Sequence, residues 1–484
     1  MRDAVALQTA SNPDATALID AENGEAWTYD ELDDAVEVTA GRLAALGVES
    51  SDRVGVLMET RPAFARLAFA CARLGATLVP LNARLAVPEL QEQVRAVEPV
   101  SVVCEAETAD DARELDAPVA SVDAGNLPEL AGRNTAEFEA ANLAWSDTRA
   151  LLFTSGTTGS PKAVRLTYGN VAASAVASAF RLGVLPDDRW LCPLSMYHTG
   201  GLSVVLRSAL YGTTAVLTRG FDAADTLAAL DDYDCTGVSL VPTMLRRLLD
   251  SGEVSDSLRF ALVGGAPTPP ELVERALDAG VPVCPTYGMT ETASQVATLR
   301  PEQARERPES VGRPLLGTEV TVVGDDGNPV SQGEVGELVV SGPTVTPGYV
   351  GGRGESFCEF GLRTGDRGRV DTDGFLHVGG RRADQIVTGG ENVHPEEVGN
   401  VLKSHPGVEV AAVVGVPDDE WGERVGALVV PAGDVTVEAL EAFCEDRLAG
   451  YKRPRVVAFA EELPRTASGT VDREAVRRAL ADEN

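Results

Sequence analysis

Apolar residues in the first part of the chain alternate between two spacings. Thr28 and Glu31 have the separation of a capping box, and Leu32, Val36, Leu43 and Leu46 follow on a helical repeat that stops at Gly47. Arg53 to Met58 then reads as a strand, Pro62 to Leu74 as a helix and Ala76 to Leu81 as a second strand. Such β-α-β alternation predicts a doubly wound sheet. Residues 105–145 are rich in Ala, Asp and Glu with weak periodicity, and are expected to be peripheral. Alternation resumes from Leu151 through Pro285, with Gly237–Val241 and Leu258–Val263 as further short strands.

Between Thr318 and Val340 the apolar period becomes two: Val320 and Val322, the turn Asp325-Asp326-Gly327, then Val335, Leu338 and Val340. This predicts antiparallel strands forming a small β-barrel. After Arg381 the pattern gives a helix from Pro395, strands Val408–Val416 and Arg424–Val430, a helix from Val437 and a strand Val456–Phe459. That section is too short for a doubly wound sheet of its own. The expected fold is α/β, with a large N-terminal domain (1–381) of doubly wound sheets plus a small β-barrel, and a mobile α+β C-terminal lid domain (382–484).

Composition narrows the function. The 484 residues carry 41 basic against 74 acidic side chains, a net charge of −33, and every basic residue but Lys162, Lys403 and Lys452 is arginine. An even acidic coat with so little lysine predicts a halophilic protein adapted to molar salt, where charge repulsion is screened; an acidic protein of a low-salt cytoplasm is the alternative. The charge argues against nucleic acid or an anionic membrane as partner. The opening residues lack the apolar core of a signal peptide, and no apolar run approaches the roughly 18 residues of a membrane span, so a cytoplasmic protein without membrane insertion is expected. Seven scattered cysteines without a C-x-x-C pair read as reduced core residues. Composition leaves open whether the chain forms a homo-oligomer.

Two stretches carry the chemistry. In the first, the short strand at Leu151 enters Thr154-Ser155-Gly156-Thr157-Thr158-Gly159-Ser160-Pro161-Lys162. Glycines admit backbone N–H groups to phosphate oxygens, hydroxyls add donors and Lys162 adds charge, a composition suited to a polyphosphate. The spacing is not that of a Walker loop; the alternative on composition alone is a flexible Ser/Thr/Gly linker. In the second, Thr286-Tyr287-Gly288-Met289-Thr290-Glu291-Thr292 follows a short strand, which places it at the carboxyl edge of the sheet where α/β proteins bind ligands. Glu291 beside a polyphosphate makes sense if a hard cation bridges them. The plainer reading is a turn capped by Thr290.

The TSGTTGSPK word resembles the phosphate loop of the adenylate-forming enzymes, which include acyl-CoA synthetases, amino-acid-activating domains and luciferases. The resemblance implies a two-step reaction using ATP, Mg²⁺ and coenzyme A, in which a carboxylate attacks the α-phosphate and a thiol then displaces AMP. It further implies that the 154–162 loop closes on the β- and γ-phosphates, that Tyr287, next to Gly288, stacks on adenine, that Thr290 meets the α-phosphate and that Glu291 holds the metal. Asp366, in Arg363-Thr364-Gly365-Asp366, would bind ribose, and Arg381 would mark the swivel of the small domain. Gly389 and Gly390 would line the pantetheine channel.

Pro193-Leu194-Ser195-Met196-Tyr197-His198-Thr199-Gly200-Gly201-Leu202-Ser203, Arg207, Gly264-Gly265-Ala266-Pro267 and Glu291-Thr292-Ala293-Ser294-Gln295 together resemble the o-succinylbenzoate–CoA ligases of menaquinone biosynthesis. The implied partner is a small aromatic carboxylate bearing a second carboxylate, with His198, Gly200, Gly201, Ser203, Gly264, Gly265 and Ser294 around it. Arg207 is the candidate cation for the second carboxylate; the alternative is an arginine paired with an acidic neighbour on its helix. His198 is either a gate beside the acyl pocket or a hydrogen-bonded core histidine. One position departs from the pattern. In Pro464-Arg465-Thr466-Ala467-Ser468-Gly469-Thr470, the family's adenylation lysine is replaced by Thr470, which predicts an impaired first step. Ligases for another aromatic acid such as benzoate, and a weakened relative that only binds nucleotide or acyl-adenylate, are the competing expectations.

Overall fold

The computed structural model describes the whole chain except residues 86, 155–161, 355, 382–385, 389–390, 394, 419–420, 446, 449, 467–468 and 482–484. Two compact units divide it: Met1–Val320 with Val340–Leu362, and Thr321–Val339 with Arg363–Asn484.

In the first unit, the predicted alternation builds two sheets. One has six strands in the order Val119–Ser121, Ser101–Cys104, Arg53–Leu57, Thr77–Leu81, Thr148–Thr154 (β1) and Lys162–Thr167 (β2). Its strands are parallel except for the last pair, where Thr154 lies opposite Lys162 in an antiparallel ladder. The other sheet has nine strands. Five of its central strands, from Thr214–Leu217 through Arg189–Cys192, Gly237–Leu240 and Phe260–Val263 to Val283–Met289 (β3), run parallel. An antiparallel strand, Ser294–Thr298 (β4), returns along β3.

Local signals account for many of the boundaries. The Thr28 hydroxyl accepts from the Glu31 N–H while the Glu31 carboxylate accepts from the Thr28 N–H, so the predicted capping box starts the helix Tyr29–Ala45. Helix Pro62–Leu74 begins with proline, ends at Gly75 in the left-handed region and is buried on almost every side. Its Phe64 and Leu67 join Leu43, Val54, Leu18 and Trp190 in one core that reaches both sheets. Tyr168–Leu182 (α1), capped by Thr167 and Asn170, and Thr199–Tyr211 (α2) pack on the nine-stranded sheet and on each other.

The structure corrects the reading of residues 105–145 as peripheral. Glu105 is fully buried and accepts from Arg61 at 3.1 Å and Arg219 at 2.7 Å, while Val119–Ser121 forms the edge strand of the six-stranded sheet. Weak periodicity concealed this because Glu105 is held by ion pairs to distant segments and the apolar anchors Ala112, Leu115 and Leu130 are widely spaced.

The strand Gly361–Val370 (β5), which lies in the second unit from Arg363 onward, pairs antiparallel with Leu376–Arg381 (β6) over Asp366–Val370, placing Asp366 opposite Arg381. Strands Val408–Asp418, Gly422–Pro431 and Val456–Phe459 occur where the pattern put them. Helices Pro395–Lys403 and Val437–Glu445 share one core cluster and helix Arg473–Ala481 lies in another. Among the described residues no helix is long and apolar enough to cross a membrane.

Candidate active site

The candidate nucleotide turn stands at the tip of the β3–β4 hairpin. Its strand is longer than the sequence suggests: Thr286 to Met289 continue β3, held by Thr286 and Thr298 hydroxyls 2.8 Å apart, with an irregularity in register after Tyr287. Polar side chains and a glycine hid the strand, because its stabilising partner is β4 rather than an apolar core. Glycine is required at 288, where a Cβ would lie 1.6 Å from the Ser294 carbonyl oxygen. Thr290–Thr292 then make one 3₁₀ turn, and Ala293 and Ser294 follow with φ of 51° and 101°. Positive φ at two non-glycine residues in succession is strain of the kind concentrated at functional sites.

This turn buries Glu291, and the residue that holds it is one the sequence reading missed. The Tyr349 hydroxyl donates to Glu291 Oε1 at 3.3 Å, and the Thr346 N–H donates to the Glu291 carbonyl at 2.7 Å. Tyr349 is placed by the strand that begins at Lys162: Arg165 N–H donates to the Gly348 carbonyl and Val350 N–H to the Ala163 carbonyl, so residues 348–350 zip along β2. The Lys162 ammonium lies 5.8 Å from the centre of the same tyrosine ring. Burial, and then the Glu291 charge, push the Tyr349 phenol up to about 12, so it remains a donor. The only sequence signal was an aromatic residue in a Gly/Pro/Thr-rich run, which does not say what it faces.

Thr290 and Thr199 hydroxyls are 3.1 Å apart at this turn. A carboxylate beside hydroxyls is a hard oxygen donor set, which fits Mg²⁺ rather than a softer metal. Thr154 and Lys162 face each other across the β1–β2 ladder. Ser155, Gly156, Thr157, Thr158 and Gly159 lie outside the described residues.

The acyl-side candidates are carried by α2 and the residues before it. His198 holds the N-cap position, with its ring exposed and edge-on to Tyr197 at 4.8 Å, so it is not a core histidine. Desolvation by the surrounding protein and then the charge of Arg84 lower its pKa, although the ring still reaches solvent. Gly201 allows the chain to cross itself, since a Cβ there would lie 2.5 Å from the Ser195 carbonyl oxygen. Ser203 donates to the Gly200 carbonyl at 3.0 Å. Gly264 and Gly265 follow the strand next to β3, with Thr286 packed against Gly264.

Arg207 is 1% exposed. Its Nη2 donates to the Ser174 hydroxyl at 2.8 Å, and that hydroxyl donates to the Ala293 carbonyl at 2.6 Å, directly after the Glu291 turn. Nε and Nη1 have no partner among the described residues, and no carboxylate pairs with it there. The alternative of a helix ion pair is therefore wrong. Burial depresses the pKa of this guanidinium, which nonetheless stays charged at any physiological pH.

Asp366, Arg381 and Thr470 belong to the second unit. Asp366 is buried, with its N–H donating to the Thr364 hydroxyl at 3.0 Å. The Thr470 hydroxyl is 2.7 Å from that of Thr466, and Arg465 donates to the Gly469 carbonyl at 2.6 Å, just before the helix Arg473–Ala481. Gly389 and Gly390 lie outside the described residues.

The sequence matches the AMP-binding enzyme family over residues 5–350 and the AMP-binding enzyme C-terminal domain over residues 397–470. The chain belongs to the AMP-binding enzyme family. Within it, the chain is similar to the 2-succinylbenzoate–CoA ligase of Bacillus pumilus, with 39% identity over 467 residues covering 95% of this chain and 94% of the relative. Two solved structures of o-succinylbenzoate coenzyme A synthetase from Bacillus subtilis share the fold. The complex with the acyl-adenylate intermediate has a TM-score of 0.94 and 36% identity, covering 99% of this chain and 98% of that one. The complex with ATP and magnesium has a TM-score of 0.92 and 35% identity, covering all of both chains. Lys162, Thr290, Glu291, Arg207 and Tyr349 all fall in the first family segment, and Thr470 is the last residue of the second.

Proposed function

We propose that this AMP-binding enzyme is a ligase that converts o-succinylbenzoate, ATP and coenzyme A to the acyl-CoA, AMP and pyrophosphate. The relatives named for that reaction support the choice of acid. The observation that carries it is Arg207: a buried guanidinium with no carboxylate of its own among the described residues, two hydrogen bonds from the Glu291 turn, suits a substrate with one carboxylate to react and another to pair.

In the first half-reaction a carboxylate oxygen attacks the α-phosphorus and pyrophosphate leaves. Thr154 to Lys162 hold the β- and γ-phosphates, Thr290 orients the α-phosphate, Tyr287 and Gly288 form the adenine face, and Asp366 takes the ribose hydroxyls. Mg²⁺, held by Glu291, supplies charge neutralisation at the phosphate oxygens. In the second half-reaction the thiol sulfur attacks the acyl carbonyl, AMP leaves and the thiol proton passes to solvent. Residues 382–484 act as the moving domain about Arg381, with Gly389 and Gly390 beside the pantetheine arm. His198, at the exposed start of α2, gates the acyl pocket formed with Gly200, Gly201, Ser203, Gly264, Gly265 and Ser294. Thr470 supplies no positive charge where the two anions meet, so adenylation is the slower step. The acidic surface suits a cytoplasm of molar salt.

The deciding experiment compares two acids. Arg207→Leu raises KM for o-succinylbenzoate at least about tenfold while leaving KM for benzoate, which lacks the second carboxylate, unchanged. Equal losses on both acids remove Arg207 from substrate recognition.

A further inference from the structure

Arg207 needs a counter-charge even when no acid is bound. The groups facing it are neutral: the Ser174 hydroxyl from α1 and, on its own helix, Tyr211, whose hydroxyl donates to the Ala175 carbonyl. Among the described residues Nε and Nη1 remain without partners, in a side chain that is 1% exposed. A guanidinium keeps its proton at physiological pH, and an unpaired buried charge is among the least favourable arrangements in a protein. With no Asp or Glu in reach among the described residues, the negative charge has to come from solution.

We propose that Arg207 holds a halide ion in the resting enzyme, and that the second carboxylate of the acid displaces it on binding. The donor set selects the ion. Ser174 accepts from Arg207 and gives its only proton to the Ala293 carbonyl, so it has none left for a ligand. The remaining donors are those of the guanidinium, enough for a monatomic anion. A phosphate or sulfate would bury further oxygens for which no donors are available. Substrate entry is then an exchange of one anion for another at a conserved net charge, and the halide competes with the acid but not with ATP. The exchange rests on the carboxylate role of Arg207 proposed above; the halide site does not.

Crystals of the full chain soaked in potassium bromide and measured at the bromine absorption edge test the site. The expected result is an anomalous peak within hydrogen-bonding distance of Nε or Nη1 of Arg207, absent from Arg207→Met. Water without anomalous signal there, or bromide only at surface arginines, overturns the proposal. Exchange is tested in solution by replacing isethionate, an anion too large for a buried site, with bromide at fixed ionic strength. KM for o-succinylbenzoate then rises at least about threefold and KM for ATP stays constant. A bromide peak without any change in KM supports the halide site and overturns the exchange, together with the carboxylate role of Arg207. No peak, but an acid-selective loss in Arg207→Leu, overturns the halide site and leaves that role standing.

Discussion

Tyr349 and Glu291 are 58 positions apart in sequence and joined by a 3.3 Å hydrogen bond from phenol to carboxylate. The tyrosine ring also faces the Lys162 ammonium, so one side chain stands between that cation and the Glu291 carboxylate. Residues 348–350 are zipped onto β2, the strand that begins at Lys162, so the ring is held beside both charges by the same ladder.

Tyr349→Phe keeps the ring beside Lys162 and removes only the donor. A hydrogen bond to a charged group contributes about 1.5–3 kcal/mol, so the variant should show roughly a tenfold fall in adenylation rate at limiting magnesium. Excess magnesium should restore part of the loss, as expected of a positioning residue. A magnesium titration superimposable on that of the parent protein counts against the role.

Lys162→Ala and Glu291→Ala should each weaken MgATP binding measured by calorimetry, by about tenfold or more. Glu291→Ala should lose the magnesium dependence, whereas Lys162→Ala should keep it. Unchanged affinity in both variants would sink the assignment of this corner to the nucleotide.

The −33 net charge predicts a melting temperature that rises from dilute buffer to molar potassium chloride, because screening relieves repulsion among like charges. A flat or falling curve excludes the salt-adapted reading. The same titration with Arg207→Met separates general screening from occupancy of the buried anion site.

The proposed role of Thr470 predicts that the two half-reactions separate. Its hydroxyl is engaged with Thr466 and offers no cation. Thr470→Lys should speed ATP–pyrophosphate exchange by at least about 10²-fold while thioester formation from preformed acyl-adenylate changes little. Fast exchange in the parent chain, insensitive to this substitution, would shift attention to Arg473 or Lys452 as the substituting cation.

The sequence by itself determined whatever depends on neighbours along the chain. The capping box at Thr28 and Glu31, the proline-led helix at Pro62 and the strands at Arg53, Thr77 and Val408 are local bargains between side chain and backbone, and they occur as the periodicity predicts. Motif order likewise placed the Glu291 turn and Arg207, because spacing is legible without a structure. Tertiary structure alone decided which charges are paired. Glu105 looked like part of an acidic surface run and is buried between two arginines from distant segments. Arg207 read as a cation for a substrate carboxylate or, alternatively, as a helix ion-pair former, and it is buried with no carboxylate beside it among the described residues. Tyr349, an aromatic residue in a Gly/Pro/Thr-rich run, gave no sign of its partner, which is Glu291. Electrostatic energy depends on distance and desolvation in three dimensions, and neither is encoded in the spacing of residues along one.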